Sequence, residues 1–219
     1  SRLVLYAPRR LNFYLLEVAK FVTWVITPAL LFLIFISKPL FIFLLGDKGT
    51  PLTIHQGGLI LTLYTTGLLF LCMNKLLLSM FYALKDTWST TIAAGICALI
   101  NITGDLISYK YIGAYGIALS NTVSGLAMTI IAFVFLERRH NIRFYLGGFL
   151  AFLVRYLAQL AVGIALFLGS YYFGLTLGLD AKVGSMVYWI FVCTIGCASM
   201  SFLYVSRRFF GLKVYFLSH

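Results

Sequence analysis

The chain has 219 residues, enough for one domain or two small ones. Hydrophobic residues make up 62 % of it and charged residues 11 %, against about a half and about a quarter in a soluble domain; this excludes a water-soluble monomer, a disordered chain and a nucleic-acid-binding domain. The net charge of +11, on so apolar a background, belongs to the Lys- and Arg-rich flanks of membrane helices.

A helix needs ~20 apolar residues to cross the hydrocarbon of a bilayer. Six stretches qualify, at 18–45, 57–83, 88–109, 113–136, 146–173 and 184–206. Strands are excluded, because the runs are long and do not alternate apolar with polar residues. The expected fold is all-α, a polytopic bundle of six transmembrane helices. The first span contains Pro28, with Pro39 near its end. Each proline removes a backbone donor, a break that neighbouring helices can repair inside a bundle. The second span carries Asn74 and Lys75, the third Asn101 and Asp105, and the fourth Asn121. The last two are almost purely apolar apart from Arg155 and Gln159. The connections, at 46–56, 84–87, 110–112, 137–145 and 174–183, are short, so consecutive helices are expected to be antiparallel neighbours. The shift in composition after Arg143 divides one membrane domain into two zones, 1–140 and 141–219.

With the N-terminus in the cytoplasm, the inner side holds Arg2, Arg9, Arg10, Lys20, Lys85, Arg138, Arg139, Arg143, Arg207, Arg208 and Lys213. The outer side holds only Lys38, Lys48, Lys110 and Lys182. That positive-inside bias predicts both termini to be cytoplasmic. The chain begins with Ser1 and shows no signal-peptide pattern, and is expected to be a fragment or a processed form.

Sites of covalent chemistry are not legible in this sequence. It has no Gly-rich phosphate loop, no HExxH and no nucleophile elbow. His55, His140 and His219 lie far apart, and Asp105 is the one acid clearly inside a span. The chain is therefore read as a non-enzyme. Cys72, Cys97, Cys193 and Cys197 sit in apolar runs without ligand spacing, as small apolar residues, although the last two share a helical face.

A charged group at the centre of a membrane helix costs at least ~2.5 kcal/mol, so such residues are functional candidates. Asn101 and Asp105, four apart, share one face of the third span. Asp105 lies about 6 Å and Asn101 about 12 Å below the outer end of that span. On the returning fourth span the Ile117 carbonyl and Asn121 fall at the same two depths, about 6 and 12 Å. One carboxylate with amide and carbonyl oxygens suits an alkali or alkaline-earth cation, or a proton. The alternative is interhelical hydrogen bonding, with Asp105 neutral or paired with Lys110. Lys75 and Arg155, about 12 and 13 Å from the inner ends of their spans, could each hold an anionic head group or snorkel to the interface.

Several words of the sequence are specific in combination. Phe81-Tyr82-Ala83-Leu84-Lys85-Asp86-Thr87 is followed by Asn101-Ile102 with Asp105, then by Gly113-Ala114-Tyr115-Gly116-Ile117-Ala118-Leu119-Ser120-Asn121, and the chain closes on Phe210-Gly211-Leu212-Lys213-Val214. In order and spacing they resemble the MurJ/MviN family, the lipid II flippases of the multidrug/oligosaccharidyl-lipid/polysaccharide exporter superfamily. Two positions depart from the family's pattern, Thr90 where proline is usual and Asn121 where threonine is expected. The family has fourteen membrane helices in two lobes, and this chain resembles the last six.

The resemblance implies that residues 1–140 are the last four helices of the second lobe. Residues 141–219 would be two additional helices forming a groove for a polyprenyl tail. The family's cavity arginines belong to the part that is missing here. The resemblance also implies an inner-membrane carrier of an undecaprenyl-pyrophosphate-linked peptidoglycan precursor, lipid II, working by alternating access against a missing N-terminal lobe. Some members hold Na⁺ in the second lobe; the matching ligands are Asn101, Asp105, the Ile117 carbonyl and position 121, completed by an Asp on a missing helix. An exporter of another lipid-linked glycan or of drugs, and a truncated non-transporting membrane protein, are the alternative readings.

Overall fold

The computed structural model describes residues 8–142, 144–176 and 185–212. Arg2, Arg143, Asp180, Lys182, Lys213, Val214 and His219 lie outside the described residues, as does most of the 174–183 connection. The described chain forms α1 (Pro8–Leu45), a 3-10 turn (Gly46–Lys48), α2 (Pro51–Ala83), α3 (Thr87–Ile112), α4 (Ala114–His140), α5 (Leu146–Thr176) and α6 (Met186–Ser206), and no strand occurs among the described residues. All six α-helices are long and apolar enough to cross a membrane. The chain is a multi-pass membrane protein, and each expected span falls on one helix, the fourth and sixth beginning one and two residues ahead of theirs.

Local chemistry sets the helix ends. Thr50 caps α2 by accepting from the Thr53 amide at 3.2 Å, and Pro51 follows at the first helical position, where its missing N–H leaves no bond unmade. At the far end of α2, Lys85 takes a left-handed φ of 59°. The Asp86 amide then donates back to the Phe81 carbonyl, closing the helix as glycine usually does. Gly113, at φ 65°, both ends α3 and starts α4 without a further loop residue. Asn141, also left-handed, ends α4. Ser185 caps α6 by accepting from the Tyr188 amide.

The packing order departs from the chain order. α1 packs on α2, α2 on α4, and α4 on α3, while α2 and α3 barely touch despite their short connection. The expectation that consecutive helices are neighbours fails there, and it fails again between α4 and α5. The cause lies in α4, which carries small residues on two faces. Toward α3, Gly116 meets the Ser108 backbone and Ser120 meets Gly104. Toward α2, the Thr122 side chain meets Gly67 and Gly125 meets Phe70. Small residues let helix backbones approach closely in lipid, so α4 slots between α2 and α3. The α5–α6 pair packs on α1 instead.

Three apolar clusters follow from this order. Leu15, Leu77, Phe81 and Leu136 join α1, α2 and α4. Trp24, Tyr156, Leu160 and Leu203 join α1, α5 and α6. Ile36, Tyr188 and Val192 join α1 to α6 at the opposite end.

The close α3–α4 approach can be tested at two glycines. A Cβ at Gly116 would lie 2.6 Å from the Ser108 carbonyl carbon and oxygen, whereas one at Gly95 would meet nothing within 4 Å. Gly116→Ala is expected to destabilise the protein by about 1–3 kcal/mol, because backbone must move; Gly95→Ala is expected not to. Thermal unfolding midpoints in detergent decide between them.

Candidate functional site

Pro28 has no N–H, so the Trp24 carbonyl four residues earlier lacks its helical donor. In lipid no water can replace it. The Tyr156 hydroxyl of α5 donates to that carbonyl at 3.3 Å. One turn away on α5, Gln159 is 0 % exposed. Its Oε1 accepts from the Trp24 indole N–H at 3.3 Å, and its Nε2 donates to the Leu203 carbonyl at 2.6 Å and to Ser206 Oγ at 2.9 Å. One amide thus joins α1, α5 and α6. Beyond it, toward the end opposite the arginines, lies an apolar cavity of about 600 Å³. Pro28, Phe32 and Phe35 of α1, Phe167 of α5 and Cys193 and Cys197 of α6 are among its walls. Gly163 and Gly196 bring the helices together there: a Cβ at Gly163 would lie 2.9 Å from Leu203 and one at Gly196 2.8 Å from Phe32.

The α3–α4 hairpin places the four candidate ligands at matching levels. Ser108 against Gly116 and Ser120 against Gly104 fix the register, and Ser120 Oγ donates to the Asn101 carbonyl at 3.1 Å. Asp105 therefore stands near the level of Ile117, and Asn101 near that of Asn121. All four are half-buried. Among the described residues no hydrogen bond joins the side chains of Asn101, Asp105 and Asn121, and no ion pair joins Asp105 to Lys110. Asp105 Oδ1 is buried and has no hydrogen-bond partner. An unpartnered carboxylate oxygen, with Asn101 one turn away on the same helix face, is a donor set whose chemistry would suit a monovalent cation. A site rich in His, Cys or carboxylates does not occur, since no group of three such residues gathers among the described residues.

The two basic candidates separate. Lys75 is exposed, next to Asn74, whose amide is engaged on both sides: Nδ2 donates to the Gly125 carbonyl at 3.0 Å and Oδ1 accepts from Thr129 Oγ1 at 2.8 Å. Arg155 is exposed too, and its Nη1 donates to the Gly211 carbonyl at a long 3.4 Å. The structure does not bring Lys75, Arg155 and the α3–α4 hairpin together as one site.

At the basic end, Asp86 forms a junction that its place in the sequence does not announce. It caps α3 by accepting from the Ser89 amide at 3.0 Å and from Ser89 Oγ at 2.5 Å. His140 Nε2, at the end of α4, lies 2.8 Å from Asp86 Oδ2, and Arg139 donates to Ser89 Oγ at 2.8 Å. The 53 residues separating Asp86 from His140 along the chain are the signal that sequence spacing could not supply. The Ser89 hydroxyl, the Ser89 amide and the nearby His140 hold the Asp86 carboxyl down, from an ordinary 3.8 to about 2, against a smaller opposing effect of burial.

Six lipid-length helices, a proline break mended between helices and an unpartnered intramembrane carboxylate define a helical integral membrane protein with a polar site inside the bilayer. The sequence profile of the family described as "Lipid II flippase MurJ" matches residues 11–192, and the chain belongs to that family. It is 26 % identical over 129 residues to the probable lipid II flippase MurJ of Treponema pallidum, covering 58 % of this chain and 24 % of that protein. It is 30 % identical over 123 residues to the lipid II flippase MurJ of Thermosipho africanus, covering 54 % and 25 %. It is 31 % identical over 107 residues to the probable lipid II flippase MurJ of Vibrio cholerae, covering 48 % and 20 %. The matched stretches are thus a quarter or less of those relatives' lengths. The solved structure "Lipid II flippase MurJ, inward closed conformation" shares the fold, with a TM-score of 0.67 at 23 % identity over 94 % of this chain and 41 % of that one.

The Asp86 junction carries a pH signature. Its folded pKa lies below the ordinary value, so the stability it adds is full above about 4 and is lost as pH falls from 3.8 toward about 2. Asp86→Ala is expected to start less stable at neutral pH, by about 0.5–2 kcal/mol for loss of the cap, and to lose less on acidification. Unfolding midpoints between pH 6 and pH 2 measure both.

Proposed function

We propose that this chain is the C-terminal portion of a lipid II flippase, carrying an undecaprenyl-pyrophosphate-linked peptidoglycan precursor across the bacterial inner membrane by alternating access, with both termini cytoplasmic. The observation that carries the reading is the family match over 11–192, together with a fold that separates α1–α4 from the α5–α6 pair. Residues 1–140 are the last four helices of the second lobe, and residues 141–219 add two helices that border the tail groove. Transport of this kind needs no covalent step. It needs a second lobe for the first to rock against.

Three features of this chain support parts of that cycle. The apolar cavity walled by α1, α5 and α6 suits an isoprenoid chain, because it offers mainly hydrocarbon contact, the Ser199 and Ser201 hydroxyls on its wall being bonded to carbonyls of their own helix. Lys75, exposed beside the engaged Asn74, is the cation this segment offers to an anionic head group, while Arg155 stands among exposed apolar residues. Asn101, Asp105, the Ile117 carbonyl and Asn121 would hold a monovalent cation, Na⁺ being the expected ion; a cation there would compensate a carboxylate for which the described residues offer no partner. Mg²⁺ fits less well, since it gives up its water reluctantly.

The test uses cells depleted of their own flippase. The full-length protein that contains this segment is expected to restore growth, and residues 1–219 alone are not. Growth restored by neither, with the full-length protein present in the membrane, would refute the flippase reading. In the purified full-length protein, Na⁺ titrated against a bulky organic cation is expected to raise the unfolding midpoint, and Asp105→Asn to abolish that rise. A rise retained by Asp105→Asn would make the hairpin a purely structural contact.

A further inference from the structure

We propose that Arg155 and Arg207 form a binding corner for the phosphate of an anionic membrane phospholipid, at the basic end of the α5–α6 pair. The inference requires only that the chain lies in a membrane, and it is independent of what the protein carries.

The register of the two helices sets the corner. Gln159 of α5 is bonded to Leu203 and Ser206 of α6. One turn toward the basic end on α5 stands Arg155; one turn beyond Leu203, at the C-terminal cap of α6, stands Arg207. After α6 the chain curls back, with the Leu212 amide donating to the Arg207 carbonyl at 3.0 Å. That turn delivers the Gly211 carbonyl to Arg155 Nη1. Both guanidinium-bearing residues therefore belong to one level of the pair.

Arg207 is only 8 % exposed. Its guanidinium lies over the Tyr204 ring, 4.2 Å from the centroid, and its buried Nη1 has no hydrogen-bond partner. Arginine cannot escape such a position by losing its proton, and a buried cation calls for an anion. Among the described residues no acid forms an ion pair with Arg207. Neither α5 nor α6 contains an Asp or Glu. Glu17 is paired with Lys20, and Asp86 with His140 and Arg139.

The surroundings indicate where the anion comes from. Val154 and Leu157 beside Arg155, and Val205 and Phe209 beside Arg207, are all exposed. An exposed Arg155, at a level of the pair where Val154, Leu157, Val205 and Phe209 are all exposed, stands at the lipid surface, and an amphiphile satisfies both parts at once. Its chains lie on Val154, Leu157, Val205 and Phe209 while its phosphate meets the arginines. The planar guanidinium fork matches phosphate oxygens two at a time, which an ammonium cannot do. Arg155 holds Gly211 by one long bond on an exposed side chain, so it is free to turn toward such a ligand. Arg139, by contrast, is already bound to Ser89.

The test takes the full-length protein that contains this segment, delipidated in neutral detergent, and follows its unfolding midpoint as phosphatidylglycerol, phosphatidylcholine or inorganic phosphate is added. A saturable rise is expected with phosphatidylglycerol alone. Arg155→Gln is expected to weaken the apparent affinity about tenfold, as loss of a charge-assisted contact does. Arg155→Gln with Arg207→Gln is expected to abolish the rise, and Lys110→Gln, at the opposite end, to preserve it. In neutral detergent alone Arg207→Gln is expected not to lower the midpoint, because it removes an uncompensated cation. Should Arg207→Gln fail to fold, Arg155→Gln, an exposed side chain, carries the test. The proposal is overturned if phosphatidylcholine stabilises equally, if the double variant keeps the full rise, or if Arg207→Gln lowers stability equally with and without phosphatidylglycerol. An equal rise with inorganic phosphate overturns the lipid as the source.

Discussion

The Trp24 carbonyl, left without a donor by Pro28, is the point on which the arrangement of this bundle turns. In water such a break is mended by solvent. In hydrocarbon it must be mended by protein, and Tyr156 does so from α5. Because that bond lies inside the membrane, α5 is held to α1 at one height, and Gln159 one turn along then fixes α6 to both. The α5–α6 pair is thus anchored by polar bonds near its basic end, while its apolar surfaces beyond that level are free to border a cavity.

Hydrophobic burial cannot order helices in a solvent as apolar as their own side chains, so close contact and hydrogen bonds take over that task. The two halves of the chain solve the problem differently. α3 and α4 rely on Gly104, Ser108, Gly116 and Ser120, which bring backbones together. α2 and α4 add the Asn74–Thr129 bond. α1, α5 and α6 rely on the buried amide of Gln159. The small-residue contacts leave Asp105 beside a tightly closed hairpin with Oδ1 unpartnered, and the α5–α6 end leaves Arg207 Nη1 likewise without a hydrogen-bond partner among the described residues. These two buried atoms are the places where the protein calls for something from outside itself.

Much of this was legible in the residues. Six apolar runs demanded six helices, since only a helix satisfies its own backbone in lipid. Pro28 announced a broken bond at a known position, four residues back. The spacing of Asn101 with Asp105, and the short turn at Gly113, predicted a polar level shared by α3 and α4, and the words from Phe81 to Asn121 pointed to the family before any coordinates did. The sequence also misled in one respect: short connections implied that each helix lies against the next, but α4 stands between α2 and α3.

What the sequence determined by itself was the class of solvent, the number of crossings and the family, because those follow from length, apolar runs and local motifs. Only the tertiary structure decided which helices touch. It decided that Tyr156 reaches the Trp24 carbonyl across 132 positions of chain, that Asp86 meets His140 across 54, and that Arg207 Nη1 finds no hydrogen-bond partner among the described residues. The reason is physical. A residue's hydrogen-bonding demand is written in its own chemistry, but whether that demand is met depends on a backbone or side chain brought close only when helices distant in sequence pack.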